Sequence, residues 1–189
     1  MQTKSAAAKP SSTSATSPDA IALLTADHAK VKAMFKRFEK LHEAESDDDA
    51  YELAQEICNE LTIHATVEEE IFYPALRDAI DDDDLMNEAE VEHDSAKDLI
   101  GDIEAMDGSD EKFAATVMVL GEYINHHVEE EEGEMFPKAK KAKLDLEELG
   151  ETMETRKQEL KDDLGVEDDE EEDDDDEQSP ADSATKKSR

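Results

Sequence analysis

The chain has 189 residues and a formal net charge of −35, with 40% charged and 37% hydrophobic residues, 6 Gly, 5 Pro and no Trp. That length holds one well-buried domain with tails to spare, and the composition favours a helical protein over a sandwich or barrel. Strong acidity repels phosphate backbones and anionic lipids, and no apolar run approaches the ~18 residues of a membrane span, so neither nucleic acid nor membrane is an expected partner.

Residues 1–18 read as a disordered tail, with two lysines, many Ser and Thr, and no apolar stretch of a secretory signal. Ser17-Pro18-Asp19 is a helix start, with a capping serine and a proline at the first helical position. The first helix runs to His42 on the stripe Leu24, Val31, Phe35, Phe38 and Leu41. Ser46 to Asp49 make a turn into a second helix, whose stripe is Leu53, Ile57, Leu61, His64, Glu68 and Phe72. Asp81 to Asp84 lead into a third, with Val91, Ala96, Ile100, Ile103 and Met106 inward. Gly108-Ser109-Asp110 begins a fourth, with Val117, Leu120, Ile124, His127, Glu131 and Met135 in register. Lys138, Lys140, Lys141 and Lys143 at its end suit the negative pole of a helix. A shorter amphipathic helix spans Asp145 to Leu164 and stops at Gly165. Eleven consecutive acids, Glu167 to Glu177, then open a tail that cannot bury a core. The organisation is therefore a tail (1–18), a four-helix domain (19–143), a C-terminal helix (144–165) and an acidic disordered tail (166–189).

The four main helices form two related halves. A shift of 65 places His28 on His93, Phe35 on Ile100 and Phe38 on Ile103. A shift of 63 places His64 on His127, Glu68 on Glu131 and Pro74 on Pro137. A duplicated hairpin closed into an antiparallel up-down-up-down bundle accounts for both. Pro74 and Pro137 should each kink a helix or begin its end.

His64 and Glu68, like His127 and Glu131, stand four apart and so share one helix face. Buried carboxylates are costly unless paired or bound to cations, and coordination relieves that cost. Four histidines and two glutamates suffice for a bimetallic centre inside the bundle. Mixed imidazole and carboxylate suits iron, with manganese or zinc next. Cys58, the single cysteine, points away from the histidine stripe and reads as a core thiol, consistent with a reducing, cytoplasmic setting. Tyr123, one turn before His127, could bond or coordinate a bound ligand, or simply fill core. Glu69 and Glu132, beside the stripe acids, could support the ligands, though surface solvation is the better reading. His126 and His42 read as surface residues.

The segments His64-Ala-Thr-Val-Glu-Glu-Glu-Ile-Phe-Tyr-Pro and His127-Val-Glu-Glu-Glu-Glu-Gly-Glu-Met-Phe-Pro, with the lone His28 and His93, resemble hemerythrin-like proteins with the HHE cation-binding domain. The likeness covers residues 19–143. It implies a non-haem di-iron centre with Glu68 and Glu131 bridging, and His28, His64, His93 and His127 as terminal ligands. Oxygen-carrying members have a fifth histidine one turn before the third-helix ligand; here that position is Ala89, and Lys97 stands one turn after His93. The expected function is binding of oxygen or a related small diatomic ligand for sensing, buffering or transport, with a redox or signalling protein as a possible partner. Iron sequestration against oxidative stress and a di-iron oxidoreductase acting on peroxide or nitric oxide are the alternatives. No dedicated catalytic acid or nucleophile is legible, so binding ranks above catalysis.

Overall fold

The computed structural model describes residues 18–166, which are helical throughout apart from short turns; both expected disordered tails lie outside this range except for their edge residues. Helix α1 (Ala20–Glu43) is followed by α2 (Asp47–Val67), which passes through a π turn (Glu68–Phe72) into α3 (Tyr73–Ala79). Helix α4 (Asp83–Glu104) returns, and α5 (Phe113–Glu130) passes through a second π turn (Glu131–Met135) into α6 (Phe136–Lys141). Helix α7 (Leu146–Leu164) is the last element among the described residues. Among the described residues no helix is long and apolar enough to cross a membrane.

The helix starts follow local chemistry. The cap of α1 is Asp19, whose carboxylate accepts from Ala22 N–H at 2.8 Å; the capping role expected of Ser17 belongs two residues later. Asp82 and Asp145 cap α4 and α7 in the same way. Helix α5 begins at Phe113 rather than at Gly108–Asp110, because Asp107 accepts from Ser109 and organises that segment as a turn. Gly165 closes α7 in the left-handed conformation (φ 67°) that glycine adopts without strain.

Helix α1 packs on α2 and α5, and α4 packs on α5 and α2, giving the up-down-up-down bundle. The apolar core comes in two blocks. One holds Phe35, Phe38, Ile57, Leu61, Ile100, Leu120 and Ile124. The other holds Leu24, Phe72, Leu76, Met86, Ala89, Met135 and Phe136. A polar layer separates them, and it contains every expected donor. Val91 is the misplaced core residue: it is 64% exposed, being two positions from inward-facing His93 and so on the far side of α4.

The prolines act one turn earlier than expected. Each sits at the second position of its short helix, and the helices do end soon afterwards, at Ala79 and Lys141. The break itself is the π turn, in which Tyr73 N–H donates to Glu68 C=O and Phe136 N–H to Glu131 C=O, five residues back. A wider turn makes room for the proline ring and absorbs the donor it lacks.

Helix α7 lies against α1, α2 and the first π turn. Met153 is fully buried there. Gly150 lets the backbones meet: a Cβ on it would stand 2.8 Å from Ala20 N and closer still to the Pro18 carbonyl oxygen.

Candidate metal centre

All six expected donors are brought together. His28, His64, His93 and His127 are 3–8% exposed, Glu68 is fully buried and Glu131 is 1% exposed. Glu68 Oε2 lies 3.2 Å from His64 Nε2 and 3.4 Å from His93 Nε2. Glu131 Oε2 lies 3.2 Å from His28 Nε2 and 3.6 Å from His127 Nε2. Each glutamate thus spans one histidine from each half of the repeat. The donors fall into two groups, His28, His64, Glu68 and Glu131, and Glu68, His93 and His127, each within 4.8 Å.

The donor set fits cations. Two ligands bonded at about 2.1 Å and at right angles around one ion stand roughly 3 Å apart, close to the separations seen here. Both carboxylate oxygens of Glu68, Oε2 of Glu131 and Nε2 of His28 are buried with no hydrogen-bond partner among the described residues. Leaving such atoms unsatisfied costs on the order of 1–3 kcal/mol each, more for charged groups, and a metal would remove that cost.

Four further carboxylates face the outer atoms of the histidines, and three of them form hydrogen bonds. His28 Nδ1 bonds Glu132 Oε1 at 2.9 Å, His93 Nδ1 bonds Glu69 Oε1 at 2.8 Å, and His127 Nδ1 bonds Glu92 Oε2 at 2.7 Å. His64 Nδ1 faces Asp27 Oδ2 at 3.5 Å, too long for a good hydrogen bond. Every one of these acids adjoins a donor in sequence yet serves the histidine of the next helix, so the set closes into a ring: α1 to α2, α2 to α4, α4 to α5, α5 to α1. The ring turns each Nε2 inward, as ligand histidines require. Glu69 and Glu132 thus each bond a histidine of the group, while Glu132 also stays exposed at the surface as expected. Asp27 and Glu92 escaped the sequence reading; their signal is an acid directly before each lone histidine, repeated at the 65-residue shift.

The electrostatics follow from this packing. Burial opposes charging of His28, His93 and His127, yet the surrounding glutamates outweigh it, raising all three and taking His127 to about 9. Burial also works against ionising Glu131, but His28 and His127 overcome it and hold its pKa well below the usual carboxylate range. Asp27 is lowered too, because contacts with His64 and Lys157 outweigh its burial.

Tyr73 is a third residue that sequence reasoning missed. Its ring is buried, and its hydroxyl donates to Glu131 Oε1 at 2.9 Å while standing 2.9 Å from His93 Nε2. A regular helix places Phe72, four after Glu68, over the donors; the π turn brings position i+5 into line instead. Burial and the charges of Glu68 and Glu131 push the phenol well above its ordinary value, so without cations it is protonated. The equivalent on the other half is Phe136, which stacks on His28 with ring centroids 5.7 Å apart.

A cavity of about 130 Å³ opens beside the donors, and Tyr73 is not among its lining residues. Val31, Leu61, Ala96, Ile100 and Ile124 give it apolar walls, and the four histidines line its inner end. Tyr123 lines it and is 37% exposed, so it belongs to the rim rather than to the donor set. Cys58 is buried in the apolar block and takes no part; burial and Glu104 push its thiol to about 12. His126 is exposed and pairs with Glu130 at 3.5 Å, and His42 is exposed at the end of α1, both as expected.

The pattern defining the hemerythrin HHE cation-binding domain matches residues 19–139. A structure of a hemerythrin HHE cation-binding domain-containing protein from Mycobacterium kansasii is similar in fold, with TM-score 0.64 and 24% identity, covering 77% of this chain and 89% of that one. A protein of Nostoc sp. described as a DNA nickase is 31% identical over 110 residues. That match takes in 58% of this chain but spans only 30% of the Nostoc protein's length.

Proposed function

We propose that this chain, which belongs to the hemerythrin HHE cation-binding family, holds two iron ions within its bundle and uses them to bind oxygen or a related small molecule reached through the apolar cavity. The observation that carries this reading is the sharing of Glu68 and Glu131 between histidines of both halves, with inward-facing buried atoms that have no hydrogen-bond partner among the described residues. His28, His64, Glu68 and Glu131 would hold one ion, and His93 and His127 with the same glutamates the other. Iron there supplies redox-active coordination positions for a diatomic or peroxide-sized molecule.

The chain's own residues set the conditions. The carboxylate ring fixes the imidazoles, which raises their basicity toward a metal. Apolar walls exclude water from the cavity and favour small ligands of low polarity. Tyr73 stands in the core block that also contains Ala89, the position where oxygen-carrying relatives have a histidine, and it presents a hydroxyl 2.9 Å from His93 Nε2. That hydroxyl supports a second reading, an oxidoreductase acting on peroxide or nitric oxide, because it holds a proton in a hydrogen bond to Glu131 Oε1, oxygen to oxygen 2.9 Å, beside the donors.

The purified chain, reduced without air and then exposed to oxygen, nitric oxide or peroxide while visible spectra are recorded, tests these readings. Two irons per chain and a reversible oxygen band support binding; sustained consumption of peroxide or nitric oxide supports the enzyme. Uptake well beyond two irons points to storage. A chain that takes up no metal under any loading condition refutes all three.

A further inference from the structure

We propose that Lys157 on α7 is a positioning residue for the half of the centre built from His28, His64, Glu68 and Glu131, which makes the C-terminal helix part of the site. The inference rests on the two-metal reading. Lys157 is 13% exposed in its side chain and pairs with Asp27 Oδ1, itself on a side chain 10% exposed. The other oxygen of the same carboxylate is the one that faces His64 Nδ1 at 3.5 Å. A chain of three side chains therefore runs from α7 to a metal-binding imidazole.

The repeat shows why this position needs outside help. Asp27 corresponds to Glu92, which is longer by one methylene and reaches His127 Nδ1 at 2.7 Å. Asp27 falls short, and His64 Nδ1 is the one ligand-histidine Nδ1 without a hydrogen-bond partner among the described residues. An aspartate held only from its own backbone can rotate its carboxylate away from the ring. Lys157 removes that freedom by fixing one oxygen, which aims the other at His64. The shortfall and the added cation occur at the same place, and the cation comes from the one helix outside the duplication.

Helix α7 is itself well anchored for this role. Arg156, next to Lys157, bonds Glu70 through Nε at 2.7 Å and Nη2 at 3.2 Å, and Glu70 lies in the first π turn two residues from Glu68. Met153 and Gly150 seat the preceding turns against α1. In the His93–His127 half, Lys97 holds Glu69 at 2.6 Å and Glu69 bonds His93 at 2.8 Å, but there the carboxylate already reaches its imidazole and the cation comes from α4 within the bundle.

A purely structural Lys157–Asp27 pair predicts lost stability and unchanged metal binding; a positioning role predicts selective loss at one of two ions. The full chain, stripped by chelator, is titrated anaerobically with Fe(II) against a chromogenic competitor, as wild type and as Lys157→Met, Lys157→Arg and Arg156→Leu. Lys157→Met should bind one ion as wild type does and the other about 10-fold more weakly, the lower end of the effect of removing a group that orients a ligand. Lys157→Arg should restore most of that affinity. Arg156→Leu should lower the melting temperature while leaving both affinities in place. Lys157→Met that melts earlier yet binds both ions normally overturns the proposal, as does equal weakening of both. Wild type that binds no iron overturns the two-metal reading along with it, so the two failures are told apart.

Discussion

Stripped of metal, the chain should lose stability as the pH rises from 6 to 10, and His127 sets the scale. Its burial alone would favour the neutral ring, but Glu92, Glu131 and Glu68 outweigh that and raise its pKa to about 9. In the unfolded chain the same imidazole titrates near 6.5, so folding tightens its hold on the proton. The stabilisation is fully present below pH 6.5 and disappears as the pH passes about 9. Roughly 2.5 pH units at about 1.4 kcal/mol each give about 3–4 kcal/mol, or on the order of 10 °C in Tm for a domain of this size. His28 and His93 are shifted in the same direction and add to the loss. Thermal melts of the chelator-treated chain at constant ionic strength, followed by circular dichroism, measure it. The metal-loaded chain should behave oppositely: ligand histidines must shed protons to bind, so stabilisation by metal grows through the same window. A metal-free Tm that is flat from pH 6 to 10 would refute the claim that the buried carboxylates act on these imidazoles.

Three further outcomes follow from the geometry. Glu68 faces histidines of both halves, so Glu68→Ala should remove both ions whereas His127→Ala should leave one, as read by elemental analysis of the reconstituted chain. Tyr73→Phe should leave Glu131 Oε1 short of a donor and cost about 1–3 kcal/mol in metal-free melts. With iron bound, it should also abolish any visible phenolate-to-iron(III) band at unchanged metal content. Gly150→Ala puts a methyl group against backbone atoms of Pro18 and Ala20 that cannot swing aside, and should destabilise the chain by about 1–3 kcal/mol with α7 the first element to exchange its amide protons.

The bundle and the gathering of six buried His and Glu side chains were legible because duplication and 3.6-residue spacing reinforce each other: His64 with Glu68, and His127 with Glu131, each mark one face twice over. Where the backbone departs from that period, the reading failed. Tyr73 is inward only because the π turn resets the phase after Glu68, and no rule based on a regular helix recovers it. Val91 failed for a different reason, since an apolar residue in a helix was assigned inward by its chemistry although its angle from His93 puts it in solvent. Asp27 and Glu92 were illegible because each lies about a hundred degrees from its neighbouring histidine and answers to a different helix. Their contacts are set by how the helices are arranged around one another, which a single helix's pattern does not encode. Lys157 is the extreme case, 130 residues from the aspartate it meets.

Tyr73 and Phe136 occupy matching places in the two halves, so the inner faces of a twinned cage differ there by one oxygen atom, beside the difference between Asp27 and Glu92 further out. Two ions held in such a cage cannot be interchangeable. An electron added to the pair should settle on one partner rather than be shared evenly, and a guest molecule should meet a preferred side. Ancestral symmetry built the container, and a single hydroxyl gave it a direction.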